Sequence, residues 1–166
     1  MKIGCIISGG QTGADRSGLD AAISSGIKYS GTVPLGRRAE DGKVPDKYVG
    51  MVESDQWSYL PRTEANVVNS DATVVLCHGA PQRGSKKTLT FAAKHRKPYL
   101  AVNLNQPREK CLEKTVNWLK EIPVDVGTLN VAGSRESISP GIQKEVTELM
   151  VEVIRKVNEE ETSLFD

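Results

Sequence analysis

Short apolar runs, each bounded by glycine, proline or a polar cluster, alternate with helical stripes along nearly the whole chain. The runs are Lys2 to Ser8, Tyr29 to Val33, Ala72 to Cys77, Pro98 to Val102 and Val126 to Ala132. Continuous apolar runs of this length suit strands buried on both faces, as a parallel sheet requires. Helical spacing marks Asp15 to Ser25, Arg62 to Ser70, Lys86 to His95 and Arg108 to Glu121, the last through Leu112, Val116 and Leu119. After Pro140 an apolar stripe of Ile142, Val146, Leu149, Met150, Val153, Ile154 and Val157 predicts a final helix. Alternation of this kind defines an α/β fold with right-handed crossovers. The expected architecture is a three-layer domain around a mainly parallel sheet of five strands in the order 2-1-3-4-5.

The 166 residues fall in the usual range of one domain. Residues 158–166, rich in Glu, are expected to fray. The segment from Pro34 to Pro61 breaks the alternation and reads as a long irregular connection, and such connections are usually functional. With 22 Lys and Arg against 21 Asp and Glu, the formal charge is +1, so no global field draws the chain to nucleic acid or an anionic membrane. An anion site must therefore be local. Cys5, Cys77 and Cys111 are odd in number, far apart and set among apolar residues, which fits buried free thiols in a reducing compartment. With no signal-peptide core at Met1 and no apolar run of about 20 residues, the expected location is the cytoplasm.

Four loops that follow strands carry residues suited to an anion. Ser8-Gly9-Gly10-Gln11-Thr12-Gly13-Ala14-Asp15 joins the first strand to the first helix, where glycines permit a tight turn and helix-start amides favour phosphate. It matches neither the dinucleotide pattern nor the triphosphatase loop. Gly36, Arg37 and Arg38 open the long connection, and guanidinium forks suit phosphate or carboxylate. Arg62, Thr63 and Asn66 start the helix before the third strand. Gly84, Ser85 and Thr88, beside His78, Arg83, Lys86 and Lys87, feed the next helix, and Gly133 and Arg135 follow the fifth strand. In an open parallel sheet these loops share the carboxyl edge, so the clusters are expected to converge. Cys77-His78 is too small a set for a metal, which usually needs three or four ligands.

At Ile6 to Asp15, Gly36 to Gly42, Arg62-Thr63-Glu64 with Asn66, Ser70 to Thr73 and Asn130 to Glu136, the sequence resembles the molybdenum cofactor carrier family. That is a Rossmann-like group related to the LOG-type and lysine-decarboxylase-like nucleotide-binding proteins. The resemblance implies binding of molybdopterin or a related phosphorylated compound by a homo-oligomer. The pterin dithiolene would then hold the metal. One departure stands in the third-strand loop, where Arg83-Gly84-Ser85 replaces the Gly-Gly-Ser or Gly-Gly-Thr of such proteins; the LOG-type run Pro-Gly-Gly-x-Gly-Thr is also missing.

The leading expectation is a non-catalytic carrier whose ligand contacts are Ser8, Gly9, Gly10, Gln11, Thr12, Gly13, Gly36, Arg37, Arg38, Arg62, Thr63, Asn66, Gly84, Ser85, Thr88, Gly133 and Arg135. The alternatives are an enzyme that hydrolyses the glycosidic bond of a nucleoside monophosphate, with Glu40 or Glu136 acting on water, and a module that senses a nucleotide by changing its assembly.

Overall fold

The computed structural model describes residues 2–163. The central sheet is parallel and holds β1 (Cys5–Ile7), β2 (Lys28–Ser30), β7 (Ala72–Cys77), β8 (Tyr99–Asn103) and β9 (Thr128–Gly133). Four short strands lie between β2 and β7: β3 (Thr32–Val33), β4 (Arg38–Ala39), β5 (Gly42–Lys43) and β6 (Val52–Glu53). The helices are α1 (Ala14–Ser25), α2 (Tyr59–Val68), α3 (Arg83–Lys94), α4 (Arg108–Glu121) and α5 (Ile142–Ser163). Helices α1 and α4 both pack on α5, while α2 packs on α3, which gives the three-layer α/β architecture.

Strand β7 is the most buried of the expected runs, with all of Ala72–Cys77 inside. The main core gathers Ile6, Val74, Leu76, Leu129 and Val131 from the sheet with Leu112, Val116 and Leu119 of α4 and Ile142, Leu149, Met150 and Ile154 of α5. Each fully buried side chain of this size contributes about 1.5–3 kcal/mol.

The strand order differs from expectation. The sheet runs β2-β1-β9-β7-β8, so the last strand in sequence is the central one, between the first and the third of the predicted runs. Hydrophobic period identifies strands but says nothing of which strands pair. Counted from β7 through β8, β9, β1 and β2, the same sheet reads 2-1-3-4-5. The order is thus the expected one entered at a different point. Near that point the chain closes on itself: Ile3 N donates to Asn158 Oδ1 at 2.8 Å, and Asn158 Nδ2 donates to Ile3 O at 3.0 Å.

Those bonds also correct the tail. Asn158 is anchored and α5 continues to Ser163, while the rest of the expected fraying segment lies outside the described residues. The second expected strand is split at Gly31 (φ 143), whose missing Cβ would run into the Ser8 carbonyl. Beyond it β3 leaves the main sheet to pair with β6. The expected irregular segment therefore carries its own structure, including the β4–β5 hairpin. Val33, Ala39, Val44 and Tyr48 pack there around Leu19 of α1. Helix α2 starts at Tyr59, earlier than Arg62, because Ser58 caps it by accepting from Leu60 N at 3.3 Å and Pro61 falls in the first turn, where proline is tolerated. Helix α3 likewise starts at Arg83 instead of Lys86.

Candidate functional site

Loops at the carboxyl ends of β1, β7 and β9, together with α2 and β4, enclose a cleft of about 900 Å³. Of the residues expected to bind, Gly9, Gln11, Arg38, Arg62, Thr63, Asn66, Gly84, Ser85, Thr88, Gly133 and Arg135 line it. Ser8, Gly10, Thr12, Gly13, Gly36 and Arg37 do not.

The Gly-rich turn after β1 is held by the protein's own groups. Gly10 N donates to Ser8 Oγ at 3.2 Å, Gln11 N to Asp15 Oδ2 at 3.2 Å, Thr12 N to Gln11 Oε1 at 3.1 Å and Ala14 N to Ser134 O at 3.1 Å. Ser8 Oγ in turn donates to the Asp15 carbonyl at 2.7 Å. The Asp15 carboxylate thus stands where an external anion would meet the turn. Arg62 Nη1 binds that carboxylate at 3.2 Å and the Gly9 carbonyl at 2.9 Å. Burial pushes the Asp15 carboxyl above the ordinary aspartate value, and the Arg62 charge and the Gln11 amide offset this only in part. Close packing also fixes the glycines. A Cβ on Gly13 would meet the loop after β9, and one on Gly133 would meet the Leu76 carbonyl.

Gln11 leaves one group unmatched. Its Oε1 accepts from Thr12 N and from Glu40 N at 2.8 Å, which orients the carboxamide, while Nε2 is buried without a partner among the described residues. An unpaired buried donor costs about 1–3 kcal/mol.

Of the paired arginines, Arg38 faces the cleft. Arg37, with left-handed backbone at φ 56, turns its guanidinium to the carbonyls of Val44, Pro45 and Tyr48 at 2.8–3.1 Å. Arg38 stacks over Tyr59 at 4.3 Å and Trp57 at 5.1 Å, and Arg62 and Arg135 reach the Tyr59 ring at 5.1 and 5.0 Å. The sequence reading missed Trp57, Tyr59 and Asp15. Two aromatics within three residues, in a chain only 5% aromatic, were the available signal for the first pair.

On the α3 side, Ser85 and Thr88 are buried and Arg83 and Lys87 line the cleft. Thr88 Oγ1 donates to Gly84 O at 3.0 Å, whereas the Ser85 hydroxyl has no protein partner among the described residues. Arg83 has left-handed backbone at φ 49, a conformation that glycine adopts at no steric cost. This is the position of the departure from Gly-Gly-Ser. Asn66 bridges α2 to β3, accepting from Thr32 N at 2.8 Å and donating to Thr32 O at 3.0 Å. Thr63 Oγ1 donates to Tyr59 O at 2.9 Å.

Glu40 and Glu136 do not line the cleft, and both carboxylates are engaged. Glu40 accepts from Thr12 Oγ1 and from Ser137 Oγ at 2.6 Å. Burial pushes its pKa up, but those bonds outweigh it and hold the carboxyl below the ordinary glutamate value. Glu136 accepts from Gly141 N at 2.6 Å and Gln143 N at 3.0 Å, closing the start of α5.

A parallel α/β sheet with a cationic cleft at its carboxyl edge defines a Rossmann-like domain with a ligand-binding site at the usual place for such folds. The model of the circularly permutated YpsA SLOG family matches residues 6–154, and the chain belongs to that family. It is also similar, at 40% identity and a TM-score of 0.85, to the crystal structure of a putative molybdenum carrier protein from Syntrophus aciditrophicus SB, over 92% of this chain and 94% of that one. No curated protein matches. These likenesses bear out the resemblance seen in the motifs, and a permuted family accords with a strand order that reads 2-1-3-4-5 only when counted from β7.

Proposed function

We propose that this protein binds and carries a small phosphorylated ligand, of the molybdopterin kind, without turning it over. The observation that carries the reading is the gathering of Arg38, Arg62, Arg83, Lys87 and Arg135 around one cleft in a chain of net charge +1. A local excess of cations in a concave site selects an anion. The phosphate is assigned to the start of α3, where Ser85 offers a hydroxyl and Lys87 a charge beside the helix amides. In this reading the phosphate-binding loop is the one after β7, a choice supported by Asp15 already filling the turn after β1. The similarity to a structure named as a molybdenum carrier supports the pterin as the ligand.

Hydrolysis of a nucleotide would need a free carboxylate over the cleft; Glu40 and Glu136 are engaged outside it, and Asp15, which lines it, is held by Arg62 Nη1 and Gln11 N. Among the described residues no helix is long and apolar enough to cross a membrane. A cytoplasmic homo-oligomer completes the proposal, and light scattering of the purified protein tests the assembly.

The direct test is the shift in melting temperature with molybdopterin, nucleoside mono- and diphosphates, and inorganic phosphate. A ligand at about 100 times its Kd adds about 2.7 kcal/mol, a rise of roughly 5–10 °C for a chain of this size. A rise with the pterin supports the carrier. A rise with nucleotides alone moves the assignment to a hydrolase or a sensor, which release of free base and a change of assembly then separate. No rise with any probe overturns the proposal.

A further inference from the structure

The three guanidiniums around Tyr59 are a cluster of like charges brought together from separate parts of the chain. Arg38 comes from β4, Arg62 from α2 and Arg135 from the loop after β9. Ring faces attract cations, which helps to hold the group together. They do not neutralise it. Arg62 is paired with Asp15 at 3.2 Å. Arg135 is 3.9 Å from Glu40, whose oxygens are shared with Thr12 and Ser137. Among the described residues Arg38 has no carboxylate at salt-bridge distance; its Nη1 donates to the Trp57 carbonyl at 3.2 Å. Burial lowers the Arg62 pKa, Asp15 and Tyr59 oppose this, and Arg135 adds a smaller lowering.

Gln11 lines the same cleft, and its Nε2 donor is buried and unpaired among the described residues. Gln11 is 5% exposed, and two backbone amides hold its oxygen, so the carboxamide cannot turn over to satisfy the nitrogen without losing them. Its missing partner is an acceptor. Ser85, Lys87 and Thr88 line the same cleft from a different element, the start of α3.

Resting on the assignment of phosphate to the start of α3, we infer that the Tyr59-centred arginine cluster, with Gln11, is a second anion subsite, and that the ligand is two-headed. It carries its phosphate at one end and a further negatively charged, hydrogen-bond-accepting group at the other. Guanidinium forks suit either a second phosphate or another oxyanion. Bisphosphates serve as the probes.

Calorimetric titration of the full chain compares adenosine 5′-monophosphate with adenosine 3′,5′-bisphosphate, and fructose 6-phosphate with fructose 1,6-bisphosphate. A charge-assisted hydrogen bond corresponds to roughly tenfold or more in affinity, so at least one bisphosphate binds about tenfold tighter than its monophosphate. In Arg38→Gln/Arg135→Gln that ratio falls to within about twofold of one. In Ser85→Ala both probes of a pair weaken and the ratio persists. If monophosphates bind and neither bisphosphate gains, or if the double variant keeps the ratio, the second subsite is wrong and the phosphate assignment stands. If no phosphorylated probe binds, the functional assignment itself fails and takes the subsite with it. The comparison on the unmodified protein needs no variant to fold.

Discussion

Replacing Gly9 with alanine probes the centre of the cleft with one methyl group. Gly9 lacks the left-handed backbone of its neighbour Gly10, so alanine there brings no conformational strain. The added Cβ would overlap Arg62 Nη1 and lie 2.9 Å from Cζ. Arg62 is 7% exposed, so its guanidinium has little room to move aside without giving up the Gly9 carbonyl and Asp15. Loss of a charged hydrogen bond costs about 1.5–3 kcal/mol, and breaking a buried ion pair by deleting one partner costs about 3–5 kcal/mol. Here the charge is displaced, not deleted, so the expected loss is about 2–4 kcal/mol, or roughly 5–15 °C in melting temperature. Urea and thermal unfolding measure it. A thermodynamic cycle isolates the cause: in an Arg62→Met background the same Gly9→Ala change costs less than about 1 kcal/mol, because the clash has gone. Gly26→Ala is the contrasting control, with open space around its Cβ but φ at +69, and costs about 1–2 kcal/mol through the backbone alone. A Gly9→Ala protein as stable as the original, or the same cost in both backgrounds, would refute the described seat of Arg62.

Two further expectations concern the carboxylates. Glu136→Gln removes one of the two acceptors at the start of α5 and its charge near the helix dipole, and lowers stability by about 1 kcal/mol; ligand-induced thermal shifts persist in this variant, whereas their loss would return Glu136 to the site. The bidentate Arg16 contact, at 2.6 and 2.8 Å, holds Asp41 below the ordinary aspartate pKa, so its contribution is present above the unfolded value of roughly 3.9 and disappears as the pH falls through the lower folded value. Because Asp41 is half exposed, Asp41→Asn costs less than about 1 kcal/mol at pH 7, and acid titration of stability shows a gap from the original protein that closes as the pH falls below the ordinary aspartate value; a constant gap would exclude the linkage.

The layers of the fold were legible because buried parallel strands write themselves as unbroken apolar runs, and β7 is the clearest case. The order was not, because the pairing of β9 with β1 and β7 is a matter of long-range packing. Strands of two residues, such as β3 to β6, are too short to carry a period. Convergence of the strand-end loops followed from the sheet topology, and Arg38, Ser85 and Arg135, expected at that edge, line the cleft, as does Arg62 from the helix before β7. The turn after β1 was recognised as a helix-start site, but Asp15, folded back on Gln11 N, is met only in three dimensions. Arg37 and Arg38 are equivalent as letters; φ 56 at Arg37 is what separates their directions. Tyr59 was passed over because Pro61 looked like a boundary when it lies in the first turn of α2.

The central place of β9 has a consequence for how the molecule is made. On the ribosome, β1, β2, β7 and β8 all emerge before the strand that joins them, since Cys5 must wait for Thr128 and Ala72 for Leu129. Until then the only main-sheet pairings open to the nascent chain are β2-β1 and β7-β8, each of which would leave an open inner edge. Long-range closure of this kind is slow and leaves unpaired edges exposed to other chains. The step that completes the sheet brings together the loops after β1, β7 and β9, so the cleft forms only when the last strand is seated.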